Sequence, residues 1–272
     1  MKLFKITINE MNKLRCSGED HLSVKLNDWC IIQRGRFEDI GRISWCGETF
    51  EEEEADEDSD PDNELYTIIR KATLVDQGKA NENNVRCNSL QATAQKMIKK
   101  HDLPMNLVAT HLTLDRNLVI FMFMAPGRVD FRELLKDINK ALNLRVELRQ
   151  IGPRDQAGMI GGMGTCGRAL CCSTFLTNFV SINVKMAKIQ GISMNPNNII
   201  GACGRLKCCL NYEYEGYKIL MDSMPRVGSK CSCDGCDGVI LERNLLTKRL
   251  VVQLDDKRVV EVSPEEVVPL KR

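Results

Sequence analysis

Aromatic residues make up only 5% of this 272-residue chain, and histidine occurs three times. The first shortage argues against a platform that stacks the bases of a single-stranded nucleic acid. His21, His101 and His111 stand singly, with no cysteine or serine beside them in a nucleophile-and-base arrangement, so each is read as structural. Long apolar runs are missing as well. The longest, Leu118 to Pro126, is far too short to cross a bilayer, and MKLFKITINEMNKLRC at the N-terminus lacks a signal-peptide core. The glycine-rich GMIGGMG at 158–164 has no Lys-Ser/Thr to complete a phosphate-binding loop, and what precedes it does not frame a dinucleotide fingerprint. These gaps disfavour membrane insertion and nucleotide binding, and a cytoplasmic location is expected.

Cysteine is abundant: there are 13. In a chain with no export signal, that number favours thiolate ligation or thiol chemistry over disulfides. Six fall in a repeated frame, G-x-C-G-R-x-x-C-C, which occurs as GTCGRALCC from Gly164 to Cys172 and as GACGRLKCC from Gly201 to Cys209, 37 residues later. Four thiolates satisfy either tetrahedral zinc or a cubane iron-sulfur cluster. Structural zinc usually sits on C-x2-C knuckles, whereas each arch offers C-x4-C-C, a spacing better suited to an iron-sulfur cluster, 4Fe–4S in type, with zinc as the alternative. Arg168 and Arg205 could neutralise a negative cluster, and Gly167 and Gly204 leave backbone N–H groups free to approach its sulfurs.

Six thiols exceed the needs of one cubane. The expected ligands are Cys166, Cys171, Cys172 and Cys203, with Cys208 and Cys209 as alternates or as donors to a second site shared with a partner. A third group, Cys231, Cys233 and Cys236, could hold zinc with a fourth ligand such as Asp237, or could be incidental to a turn. Cys16, Cys30, Cys46 and Cys87 are isolated and are read as packing residues.

Net charge is +1, yet Glu51 to Glu64 carries ten acids and no base, which leaves about +11 on the rest of the chain by difference. The acidic run reads as a solvated linker over 51–64. Residues 1–50 show short apolar segments, among them Leu22 to Leu26, separated by turn residues, and suggest a small β-barrel. Residues 65–152 follow an α-β-β-α-β order with helices at Asn88 to Lys100 and from a capping box at Asp130 and Glu133, implying a two-layer α/β sandwich. Residues 153–217 form a Cys-rich segment with one helical stretch, Phe175 to Ile189. Short strands over 225–272 suggest an SH3-like β-barrel. The fold class is therefore α+β. Arg132, Lys136 and Lys140 share a helical face and, with Arg145 and Arg149 on the next strand, offer a surface for RNA or a partner.

The run from Gly127 to Phe175, followed by Ser181 to Glu213, closely resembles the bacterial YaaT/RicT family, whose C-terminal domain is named after a yeast polymerase suppressor. The likeness is strong from about Val85 to Tyr217. It implies a regulatory protein, not an enzyme, that acts with two small helical partners in an iron-sulfur complex influencing an endoribonuclease and RNA processing. By position, the six arch cysteines match the family's pattern. The acidic tract and the Cys231, Cys233, Cys236 group depart from it. Two other readings stay open: a zinc-stabilised RNA-binding module, and a redox protein using the cluster for electron transfer.

Overall fold

A computed structural model of the protein describes residues 2–8, 13–19, 22–47, 65–176, 179–233 and 235–269. The acidic tract and His21 lie outside these residues. The chain forms two compact units, Met1–Phe179 with Ala202–Arg205, and Val180–Gly201 with Leu206–Arg272.

In the first unit, five strands close into a barrel: β1 (Lys2–Thr7), β2 (Lys13–Gly18), β3 (Trp29–Arg34), β4 (Phe37–Gly47) and β5 (Tyr66–Lys71), in the order β1-β2-β5-β3-β4. Period-two alternation turns Phe4, Ile6, Cys16, Ile32 and Ile68 inward. At the β1–β4 contact the backbones come so close that a Cβ on Gly41 would collide with a methyl group of Ile6. Leu22 to Leu26 is not a strand; Lys13–Gly18 takes that place. Closure depends on β5, which lies beyond the acidic tract, pairs in parallel with β2 through Cys16 and Tyr66, and runs antiparallel to β3.

Next come α1 (Leu74–Lys100), β6 (Asn106–Leu112), β7 (Leu118–Met124), α2 (Arg132–Leu142) and β8 (Arg145–Gln150). The three strands form one sheet in the order β6-β7-β8. Ala94 and Ile98 of α1 and Leu134 and Ile138 of α2 pack with Val119, Phe121, Phe123 and Val146, which puts both helices on one face. On the other face Ile120 is the register partner of His111, whose Nε2 lies 2.8 Å from Asp39 Oδ2 of the barrel. His101 Nε2 lies 2.9 Å from Asp137 Oδ2. Both histidines are thus engaged structurally.

Helix α1 begins at Leu74, well before the expected Asn88, because its first half is buried through polar groups. The buried positions Asp76, Asn83, Cys87, Ala94 and Ile98 keep helical spacing, but the first two are not apolar. Asp76 accepts hydrogen bonds from Arg70 at 2.6 and 3.0 Å and from the Thr73 N–H at 2.8 Å. Its own N–H donates to Thr73 Oγ1, closing a capping box. The Arg70 guanidinium first, then the N–H and hydroxyl that Thr73 donates to it, hold the Asp76 carboxyl well below the usual carboxylate range. Asn83 donates to the Thr113 carbonyl and accepts from Arg116. By contrast, no capping box forms at α2. Asp130 instead accepts from the N–H and guanidinium of Arg132, and Glu133 pairs with Lys136.

Two short helices complete the first unit, α3 (Pro153–Ile160) and α4 (Cys171–Thr174). The second unit contains α5 (Val184–Ile189), α6 (Pro196–Ile199), α7 (Cys209–Tyr212) and α8 (Tyr214–Ser223). Met186, Ala187, Ile199 and Leu210 form a small core there. Of the helix expected over Phe175 to Ile189, residues 177 and 178 lie outside the described residues, and among the described ones it is confined to α5, which Asn183 caps by accepting from the Lys185 N–H.

The expected SH3-like barrel at the C-terminus is not formed. β9 (Lys230–Cys233), β10 (Cys236–Asn244), β11 (Arg249–Leu254), β12 (Val259–Val262) and β13 (Val267–Pro269) make an open sheet in the order β12-β11-β10-β9-β13. Closure would require β12 to pair with β13. These edge strands have four and three residues, and the latter ends in a proline that cannot donate to a ladder. A core of Cys231, Cys233, Ile240, Leu250 and Val252 fills one face of the sheet without closure.

Candidate metal centre

The repeated frame is also a repeated backbone structure. In the first arch an isolated bridge joins Met163 to Ala169, and in the second the equivalent bridge joins Ile200 to Leu206. The Leu170 N–H donates to the Gly162 carbonyl, as the Lys207 N–H does to that of Ile199. After each bridge the chain turns into a short helix at the vicinal cysteines. The turns need glycine, because Gly167 and Gly204 have φ values of +78° and +75°, a region that residues with a Cβ avoid. Gly164 is constrained differently, since a Cβ there would stand 3.4 Å from Cys166 Sγ.

The thiols are not equivalent. Cys172 is buried, Cys171, Cys203 and Cys208 are half-buried, and Cys166 and Cys209 are exposed. Cys203 belongs to the same compact unit as the first arch, together with Arg205. Burial pushes the Cys172 thiol up, and Cys203 and Cys171 add to the effect as neighbouring acids, while Arg154 opposes it. Cys171 and Cys203 thus both act on the buried Cys172 thiol.

Arg154 belongs to no motif in the sequence. It is 9% exposed, its guanidinium lies 4.9 Å from the Phe179 ring, and its charge reaches Cys172. Arg168 and Arg205 are exposed. The Arg205 guanidinium approaches Gly152 and Asp155 at the start of α3. A positive group close to the buried thiol therefore comes from a residue outside the arch.

For a four-thiolate cluster the donor chemistry fits, with soft sulfur donors and the cationic Arg154 acting on Cys172. Among the described residues, no three His, Cys, Asp or Glu side chains stand together as a metal-holding group.

At the other end of the chain, Cys231 and Cys233 are buried in the terminal sheet, while Cys236 is exposed. Burial, then Cys233 and Asp237, raise the Cys231 pKa. Asp237 alternates with Cys236 along β10 and is the register partner of Ser232, so it lies on the opposite face from the three thiols. Of the isolated cysteines, Cys16, Cys30 and Cys87 are buried and Cys46 is exposed. Burial pushes Cys16 up to about 12 and Cys30 up to about 11.

The basic residues do not share one surface. Arg132, Lys136 and Lys140 are exposed on the outer side of α2. Val146 and Leu148 of β8 pack toward the helices, so Arg145 and Arg149 point to the other side of the sheet. Arg145 lies 5.6 Å from the Phe37 ring of the barrel. Among the described residues, no helix is long and apolar enough to cross a membrane.

Residues 66–151, which span β5 to β8, match the family described as the PSP1 C-terminal conserved region. Residues 181–224, which contain the second arch, match the PSP1-like protein third domain. The thiol arches thus lie in and beside elements similar to those of PSP1-type proteins. Over 205 residues the chain is 41% identical to Stage 0 sporulation protein YaaT of Bacillus subtilis strain 168, covering 75% of this chain and 74% of that relative. The chain belongs to the YaaT/RicT family, and is accordingly a regulatory, non-catalytic component of a bacterial protein complex. No solved structure matches it.

Proposed function

We propose that this protein is an iron-sulfur regulatory subunit of a cytoplasmic complex that modulates endoribonuclease-dependent RNA processing. Cys166, Cys171, Cys172 and Cys203 would hold a 4Fe–4S cluster, and Cys208 and Cys209 would serve a second site completed by a small helical partner. The observation that supports this reading is the grouping of Cys203 with the first arch in one compact unit, where Cys171 and Cys203 both act on Cys172. When bound, the group would supply a redox-responsive brace between chain segments far apart in sequence. The protein's own residues set its surroundings. Gly167 and Gly204 permit the left-handed turns that follow Cys166 and Cys203, and Arg154 places positive charge near Cys172.

Anaerobic purification tests the proposal. The isolated chain should be brown and contain iron and acid-labile sulfide in comparable amounts, and Cys172→Ser should lose both. A colourless protein holding zinc and no sulfide would overturn the cluster assignment. RNA contact is tested separately with the exposed α2 stripe. Replacing Lys136 and Lys140 with Gln should weaken binding to a transcript and flatten its salt dependence.

A further inference from the structure

The terminal sheet contains a thiol group unrelated to the arches. β9 and β10 meet at a turn containing Gly235, whose φ is +78°. The register places Cys233 directly opposite Cys236, and Cys231 opposite Gly238. Alternation puts all three cysteines on the inner face. Cys231 and Cys233 are 0% and 4% exposed, and Cys236 has the same parity along β10 as buried Gly238 and Ile240. Cys236 occupies the rim of that face and is exposed.

Directly opposed residues of an antiparallel pair have Cα atoms about 4.5–5.5 Å apart. A disulfide spans about 4.4–6.8 Å, so this pair is placed for one. Cys231 is not, because its opposite residue is a glycine and its Sγ donates to the Gly238 carbonyl at 3.7 Å.

We propose that Cys233 and Cys236 form a reversible dithiol–disulfide pair, a modification site for hydroperoxides in which the exposed thiol is oxidised and the buried one resolves it. The Cys236 thiolate attacks the peroxide. An S–O bond forms, the O–O bond breaks, hydroxide leaves from hydrogen peroxide (an alkoxide from an organic hydroperoxide), and sulfur loses two electrons to become a sulfenic acid. Cys233 sulfur then attacks that sulfur, its proton goes to the departing hydroxide, and S–S replaces S–O with release of water. A small cellular thiol reverses the modification by exchange. Two thiols are oxidised to their own disulfide as the protein pair is reduced. The bond closes a ring across the hairpin end at the strand that also carries β13, since Cys233 is the register partner of Val267.

The test uses the full chain, purified anaerobically, treated with hydrogen peroxide, alkylated in denaturant and mapped by mass spectrometry. The expected product is a peptide with Cys233 and Cys236 both unalkylated and two hydrogens lighter, restored by dithiothreitol, with Cys231 still alkylated. Cys236→Ser, a change at an exposed position, should leave Cys233 fully alkylatable at the same peroxide dose. The proposal is overturned if Cys236 passes to sulfinic acid while Cys233 stays reduced, if both remain alkylatable, or if Cys231 takes the place of either. Protection that a zinc chelator removes, with no change in mass, would overturn it as well.

Discussion

The two arches share a nine-residue frame, a bridge and a left-handed glycine, yet they bury different residues. In the first, Cys172 turns inward and Ser173 folds its hydroxyl back onto the Leu170 carbonyl at 2.9 Å. In the second, the residue equivalent to Ser173 is Leu210, which is 1% exposed and packs with Met186, Ala187 and Ile199. The helix there starts at Cys209 with Cys208 as its cap, and Cys209 faces out. In the second arch Leu210 thus takes the buried position, and neither Cys208 nor Cys209 is enclosed. The lesson is that a ligand frame can be copied while the burial of its ligands is reassigned.

The sharpest attempt to break this comparison is a pair of serine substitutions. Cys172→Ser should strip nearly all iron and sulfide from the isolated chain, whereas Cys209→Ser should leave most of it bound. Equal losses, measured by metal and sulfide analysis, would erase the proposed inequality. Next in size is the packing contrast. Leu210→Ala should cost about 2–5 kcal/mol in urea unfolding, because it empties a closed core. Ser173→Ala, at an exposed position, should change stability by no more than about 0.5 kcal/mol.

The shared backbone is examined by Gly167→Ala and Gly204→Ala. Nothing lies within 4 Å of a Cβ at either site, so only the left-handed backbone resists the change. Each should lose about 1–2 kcal/mol, and by the same amount. Unequal losses would mean that the turns differ more than their dihedral angles.

A control lies far from either arch. Thr73→Ala removes the α1 cap and should cost about 1 kcal/mol, with iron content unchanged. The partner group there gives a pH signature. The folded-state pKa of Asp76 lies below its unfolded value of about 3.9, so its contribution is complete above about pH 4 and is lost as pH falls through the folded value. Wild type and Asp76→Asn should therefore converge in acid denaturation curves at low pH.

Much of this arrangement can be read from residue order. The repeat, its glycines and its vicinal thiols stand in the sequence, as do the apolar stripe of α2 and the alternation in β8. The start of α1 does not, because its inward positions Asp76 and Asn83 are polar and pair with Arg70, Thr113 and Arg116, partners chosen only by the fold. Barrel closure was equally hidden at the C-terminus. Alternation marks strands, but whether the outermost strands meet depends on edge length, and β12 and β13 do not pair. Nothing in the residue order marks Arg154 as buried, because its place beside the Phe179 ring is not encoded by periodicity.

The strand order of the N-terminal barrel has a consequence for the order in which the protein is made. β5 is the last of its strands to be synthesised, yet it is inserted between β2 and β3, with Cys16 beside Tyr66 on one side and Ile32 beside Ile68 on the other. On the ribosome, the first four strands must wait with β2 and β3 unjoined until Lys71 has emerged. The acidic tract is what leaves the exit tunnel during that interval, and its ten negative charges reach solvent just before the strand that seals the barrel.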